Sequence, residues 1–117
     1  MNKALFAKGR LKAGERNKTE ARYEAYLEMQ KRAGRIIRYD FEAVTLKLAK
    51  DTRYTPDFMV MLPDGTIEFH EVKGAWAIFQ DDAKVKIKVA SAMFPFRFLA
   101  VAPIPVKNGG GWDVKEF

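Results

Sequence analysis

The chain has 117 residues, no cysteine and one histidine, which excludes a disulfide framework, a thiolate zinc site and a histidine-rich metal site. Hydrophobic residues make up 48% of the chain, which predicts one compact domain, and no apolar stretch is long enough to span a membrane. The N-terminal residues also lack the apolar segment of a signal peptide, so we expect a cytoplasmic protein.

The net charge of +6 is concentrated at the N-terminus. Residues 1–18 carry a charge of +5, whereas the remaining 99 residues carry only +1. This asymmetry predicts a basic arm over residues 1–16, followed by a single domain over residues 17–117. Such an arm suits contacts to phosphates, and the alternative is a solvated tail. The candidate nucleic-acid contacts in this region are Lys8, Arg10, Lys12, Arg16 and Lys18.

Elements of both types are predicted along the domain, in the order helix, strands, helix, strand. The first helix has the capping-box pair Asn17 and Glu20 at its start and Gly34 at its end. The predicted elements are a helix over 17–33, an irregular strand over 36–46, a loop over 48–54, strands over 56–62 and 66–73, a helix over 80–94, a strand over 96–103 and an edge strand over 112–117. This order predicts an α/β (α+β) fold with helices packed on a mixed sheet.

The hairpin formed by strands 56–62 and 66–73 brings charged residues together. Its turn, Pro-Asp-Gly at residues 63–65, matches a type I turn followed by a left-handed glycine. A three-residue loop of this kind places Asp57 directly opposite Glu71, with Lys73 on the same face. A two-residue loop would instead put the two carboxylates on opposite faces.

Two opposed carboxylates repel each other, and something must offset that repulsion. Apolar residues on both faces of these strands indicate that the hairpin is covered, where a charge needs a partner. Lys73 offsets the repulsion in part, and a divalent cation such as Mg²⁺, bound by Asp57 and Glu71, would do so more fully. The alternative is a solvated charged stripe, because so short a pattern also arises by chance.

With Pro56-Asp57, Glu71-Val72-Lys73 and an upstream helix that bears Glu20, the sequence resembles the PD-(D/E)XK nuclease superfamily. It is most similar there to a family of small phage-encoded nucleases, through the stretches TEARYEAYL, YTPDF, EVKG and DDAKVKIKVA. The resemblance implies a restriction-endonuclease-like mixed central sheet flanked by helices. It also implies a Mg²⁺-dependent deoxyribonuclease, with Mn²⁺ able to substitute, that acts on DNA in the host cytoplasm.

The resemblance assigns roles to individual residues. Asp57 and Glu71 would be metal ligands, and the backbone carbonyl of Val72 would be a third ligand. Lys73 would orient or deprotonate the attacking water and offset charge on the phosphate. Glu20 would act through a metal-bound water or on a second ion.

Other charged residues have two interpretations each. Glu20 also fits a purely structural role as a helix cap, in which case Glu24 is the fallback acidic residue. On the second predicted helix, Lys86 flanks the apolar face and could reach the site, while Lys84 and Lys88 point further away. We expect these last two either to contact the DNA backbone or to be solvated.

The remaining chemistry-bearing residues are expected to pack rather than to react. His70 alternates with Glu71 and so faces the other side of the sheet, which predicts a hydrogen-bonded packing residue. Trp76, Phe79 and Trp112 could stack on bases, but core or interface packing is the favoured interpretation.

A chain this short has little room for a recognition domain, which favours reading of DNA shape over reading of bases. We therefore expect a structure-selective endonuclease, similar to a Holliday junction resolvase, in phage DNA metabolism. A homodimer would allow two sites to cut two strands. The alternatives are a non-catalytic DNA-binding module of the same fold and an RNA nuclease, and the intact set Glu20, Asp57, Glu71 and Lys73 favours the nuclease.

Overall fold

The structure, a computed structural model, describes residues 14–79 and 82–117. Its helices and strands are α1 (Lys18–Arg32), β1 (Arg38–Phe41), β2 (Leu46–Ala49), β3 (Thr52–Tyr54), β4 (Phe58–Met61), β5 (Ile67–Val72), α2 (Asp82–Met93), β6 (Arg97–Pro103) and β7 (Trp112–Glu116). Short 3-10 turns span Trp76–Ile78 and Val106–Asn108. The candidate DNA contacts Lys8, Arg10 and Lys12 lie outside the described residues.

Five strands form one mixed sheet in the order β1-β4-β5-β6-β7, and β2 pairs with β3 in a separate hairpin. Only the central pair β5–β6 is parallel, and the chain between these strands contains α2, as a parallel connection requires. The strand predicted at the C-terminus is β7, at one edge of this sheet. The predicted α+β class is therefore confirmed.

The two helices cover opposite faces of the sheet. One cluster joins α1 to the sheet, and its buried members include Tyr23, Leu27, Phe58, Val60, Val72 and Val101. The other joins α2 and the β2–β3 hairpin to the opposite face, and its buried members include Leu46, Tyr54, Phe69, Ile87, Ala90, Phe98 and Ala100. Neighbouring residues of one strand contribute to different clusters because side chains alternate across a sheet.

The ends of α1 follow the local sequence signals. Asn17 Oδ1 accepts a hydrogen bond from the Glu20 amide at 2.8 Å, and Glu20 Oε1 accepts one from the Asn17 amide at 2.9 Å. This reciprocal pair is the predicted capping box. Gly34 follows with a φ of +79°, which glycine adopts without steric cost. In the part of the chain that the structure describes, neither α1 nor α2 has the length and hydrophobicity needed to cross a bilayer.

The prediction of one strand over 36–46 and a loop over 48–54 is wrong. This region instead contains β1 and the β2–β3 hairpin. Glu42, with a φ of +47°, ends the first strand. The supposed loop forms strands because Leu46 and Tyr54 are directly paired and buried against the α2 side of the core. That tertiary contact stabilises strands too short to be recognised from local propensity.

The central hairpin has the predicted register. Leu62 and Thr66 are bonded across the turn, and Gly65 has a φ of +90°. The ladder runs from the Met61–Ile67 pair to the Phe58–His70 pair without a shift.

A buried polar network lies on the α1 face of the sheet. His70 is 5% exposed, and its two ring nitrogens lie 2.7 Å from the Tyr23 hydroxyl and 2.9 Å from Glu68 Oε1. Arg97 binds the second oxygen of Glu68 at 2.6 Å and also contacts Glu116 at 3.0 Å. His70 is thus the hydrogen-bonded packing residue that the sequence predicted.

Tyr23→Phe should destabilise the protein by about 1–3 kcal/mol, because it leaves a ring nitrogen of buried His70 without its partner. Tyr26→Phe is the matched control, since Tyr26 is 37% exposed on the same helix and should change stability by less than about 0.5 kcal/mol. Urea unfolding of both variants measures the difference. Equal stabilities would contradict a structural role for the Tyr23–His70 contact.

Candidate metal-binding site

Two carboxylates lie at the end of the central hairpin, on the face covered by α2. Because Phe58 pairs with His70, the next step along the same register places Asp57 opposite Glu71. Asp57 immediately precedes β4 and is half-buried, whereas Glu71 lies within β5 and is 8% exposed. The predicted opposition of the two acids is therefore present.

Asp57 is held by the backbone of the facing strand. The Val72 amide donates a hydrogen bond to Asp57 Oδ2 at 2.7 Å. One step further along the register, the residue opposite Val72 is Pro56, which is fully buried and has no N–H to donate. The N–H and C=O of one strand residue point to the same side of the strand, so the Val72 carbonyl points toward Pro56 and Asp57, as the Val72 amide does. Pro56 cannot donate a hydrogen bond to this carbonyl. An oxygen is thus available beside the two carboxylates.

Glu71 is held by two side chains. The Tyr54 hydroxyl donates to Glu71 Oε1 at 2.9 Å, and Lys73 Nζ lies 3.3 Å from Glu71 Oε2. Tyr54 is 5% exposed and comes from the end of β3, so it ties the β2–β3 hairpin to the site. Tyr54 was not predicted to be part of the site. Its signal was that a buried tyrosine needs a partner for its hydroxyl, three positions before Asp57.

The electrostatics of the pair favour a bound cation. Burial, and then the charge of Glu71, raise the pKa of Asp57 well above its usual range, and the hydrogen bond from Val72 only partly opposes this. Burial also raises the pKa of Glu71, although Lys73 and the Tyr54 hydroxyl act in the opposite direction. Burial and the neighbouring Glu71 raise the pKa of Tyr54, which keeps its hydroxyl protonated as a donor.

Glu20 caps α1 and also lies near Asp57. It completes the capping box, and its side chain is also within hydrogen-bonding reach of Asp57, where its charge raises the pKa of that acid. Glu24 is instead bound by Arg16, whose Nη2 lies 3.2 Å from Glu24 Oε2. The Arg16 guanidinium also lies over the Phe41 ring at 4.3 Å, so Arg16 is attached to the folded domain.

The helix lysines occupy the predicted positions on α2. Ala83, Ile87, Ala90 and Phe94 pack into the core, Lys86 is half-buried beside them, and Lys84 and Lys88 are exposed. Lys86 forms no hydrogen bond or ion pair with any described residue, so the structure does not bring it to the acidic pair. Lys18, at the start of α1, is exposed as well.

The three aromatic candidates contribute to packing. Phe79 is 4% exposed in the core. The Trp112 ring meets the Tyr23 ring edge-on at 4.8 Å, and Trp76 Nε1 donates to Asp113 at 2.8 Å. Core packing, the favoured interpretation of their sequence, is what the structure shows for all three residues.

Over residues 14–79 and 82–117, no group of three or more histidine, cysteine, aspartate or glutamate side chains has the arrangement of a metal site. The candidate donors are instead the two carboxylates and the Val72 carbonyl, all hard oxygens. This set fits Mg²⁺, which binds through one or two carboxylates and retains several waters. No protein-family model, curated protein or solved structure gives a significant match to the chain.

The raised pKa values predict how stability depends on pH in the absence of metal. An acid whose pKa is higher in the folded than in the unfolded state stabilises the fold below about pH 4 and loses that contribution as the pH rises through the folded pKa. The melting temperature of the chelator-treated protein should therefore fall between about pH 5 and about pH 8. Asp57→Asn should flatten this fall, as measured by thermal unfolding, and an unchanged slope would contradict the electrostatic description of the pair.

Proposed function

We propose that the protein is a metal-dependent nuclease that hydrolyses phosphodiester bonds in DNA. The observation that carries this proposal is the opposition of Asp57 and Glu71 on a covered hairpin, with Lys73 beside them. Carboxylates held close together are stabilised by a cation, and a cation with an adjacent ammonium suits a phosphodiester, which carries negative charge. The sequence resemblance supports the same chemistry.

Each residue of the site has a distinct task in this proposal. Asp57, Glu71 and the Val72 carbonyl would hold Mg²⁺ or Mn²⁺, which supplies a Lewis acid and lowers the pKa of water. Tyr54 and the Val72 amide fix the orientation of the two carboxylates. Glu20, within reach of Asp57, would bind a water at the edge of the site.

Lys73 is not a metal ligand, because an ammonium has no lone pair. It serves the reaction in one of two ways. As the neutral amine, Nζ accepts a proton from the attacking water; as the ammonium, it stabilises charge that develops on the phosphate. Lys73→Arg separates these roles in part, since arginine retains the charge but does not deprotonate.

The substrate is proposed to be branched DNA, as in a junction resolvase of phage DNA metabolism. The excess positive charge of the chain lies in residues 1–18, while the rest is nearly neutral. This charge distribution is better suited to contacting phosphates and DNA shape than to reading bases. A homodimer would supply two sites for two strands.

The first experiment is incubation of the full chain with Mg²⁺ or Mn²⁺ and labelled duplex, single-stranded, flap and four-way DNA, with duplex RNA in parallel. We expect metal-dependent cleavage of branched DNA. Binding of DNA without cleavage would identify a non-catalytic binding module. Cleavage of RNA alone would identify an RNA nuclease.

The site variants separate metal binding from catalysis. Asp57→Asn and Glu71→Gln should each abolish Mn²⁺ binding in calorimetric titrations and also abolish cleavage. Lys73→Ala should retain Mn²⁺ and DNA binding but cleave at least about 100-fold more slowly. Lys107→Ala, at an exposed lysine between β6 and β7, is the control and should behave like the parent. Parental cleavage by Lys73→Ala with Mn²⁺ still bound would overturn the assignment.

A further inference from the structure

The β2–β3 hairpin carries a pair of opposed positive charges on its outer face. Lys47 pairs directly with Arg53, and both side chains are exposed. Their neighbours in the ladder, Leu46 and Tyr54, point the other way into the core. Lys50 adds a third exposed cation at the turn. Like charges directly opposite each other destabilise a hairpin, as the two carboxylates do on the central one.

These charges lack the carboxylate partners that several arginines on the surface have. Arg32, Arg38 and Arg97 each bind a carboxylate within 3.1 Å. By contrast, the side chains of Lys47 and Arg53 form no ion pair or hydrogen bond with any residue in the described ranges. Water and salt screen the repulsion between these exposed charges only in part, and a bound anion would offset it further.

The hairpin is attached to the candidate site. Tyr54, next to Arg53, donates its hydroxyl to Glu71 at 2.9 Å. The Thr45 and Thr55 hydroxyls lie 2.7 Å apart and join the two chain segments at the base of the hairpin. Asp57 follows Arg53 by only four residues, so the strand that carries Arg53 leads directly to the acidic pair.

The chemistry of this outer face selects a polyanion. The two opposed residues on the outer face, Lys47 and Arg53, are both cationic. The apolar side chains of the hairpin, Leu46, Leu48 and Tyr54, are packed into the core, so these side chains are unavailable to anchor a protein partner. Long, exposed lysine and arginine side chains are suited to successive phosphates of a nucleic-acid backbone.

We propose that the outer face of the β2–β3 hairpin, through Lys47 and Arg53, binds the phosphate backbone of duplex DNA that flanks the cleavage site. This inference rests on the proposed nuclease function and adds a docking surface for its substrate. The contacts are to phosphates, so they position the DNA at the site and carry no base specificity.

The test measures binding of duplex DNA to the full chain at several salt concentrations, without divalent metal so that no cleavage occurs. Lys47→Ala and Arg53→Ala should each weaken binding several-fold and reduce the slope of log affinity against log salt by about 1. The double variant should reduce the slope by about 2. Its melting temperature without DNA should be equal or higher, because the repulsion is removed.

Arg35→Ala is the matched control. Arg35 is an exposed arginine that follows α1. The nearby Ile37 amide donates a hydrogen bond to the carbonyl of Met61, which lies at the opposite end of β4 from Asp57, so Arg35 is remote from the candidate site. Arg35→Ala should leave the affinity for duplex DNA and the slope of log affinity against log salt unchanged. If the parent binds and cleaves DNA but the double variant keeps the parental slope, the docking surface is wrong and the nuclease proposal stands. If the hairpin variants weaken binding of duplex RNA only, the proposal that this surface binds DNA is also wrong. If the parent neither binds nor cleaves DNA, the nuclease proposal itself fails.

Discussion

The repulsion between Asp57 and Glu71 is the constraint on which the rest of the site depends. The ladder of the central hairpin ends at the Phe58–His70 pair, and its register places the two acids opposite each other, so their backbones stay close while β4 and β5 remain paired. Three neighbours reduce the cost in different ways: the Val72 amide binds one acid, while Tyr54 and Lys73 bind the other. The pKa of each acid nevertheless remains raised, so either a proton or a metal ion is needed to offset the remaining repulsion.

Each part of the fold supplies one component of this arrangement. The Pro-Asp-Gly turn at residues 63–65 sets the register, and Pro56 leaves the Val72 carbonyl without a ladder donor. The β2–β3 hairpin brings Tyr54 from a separate sheet, and the capped start of α1 brings Glu20 to the edge. The buried network around His70 occupies the opposite face of the same sheet and has no contact with this chemistry.

The sequence predicted the features that depend on interactions between residues close together in the chain. The opposition of Asp57 and Glu71 follows from turn chemistry alone, and the capping box of α1 follows from Asn17 and Glu20, so both could be predicted and are present. The β2–β3 hairpin could not, because its short strands are stabilised by contacts with α2 that lie far away in sequence. Tyr54 was missed with it, since only the fold shows that its hydroxyl reaches the acidic pair.

The same distinction applies to the charged residues. Arg16 was assigned to a free arm, but its partners Glu24 and Phe41 belong to different elements, and their proximity depends on the packing of α1. Lys86 lies beside the apolar face of α2, as predicted, but it does not reach the acidic pair. Helical spacing specifies the face on which a residue lies and not which residues of the sheet pack against that face. The Lys47–Arg53 pair became visible only with the register of the second hairpin.

A double-mutant cycle of Asp57→Asn and Glu71→Gln, measured by urea unfolding at about pH 8 with and without Mn²⁺, tests whether the two acids repel each other and share one cation. In chelator, each single substitution should stabilise the protein, and the double should gain less than their sum because one substitution already relieves the repulsion. In saturating Mn²⁺, each single should instead remove the stabilisation by the metal, and the sign of the coupling should reverse. Additive effects in both conditions would contradict a repelling pair that shares one cation.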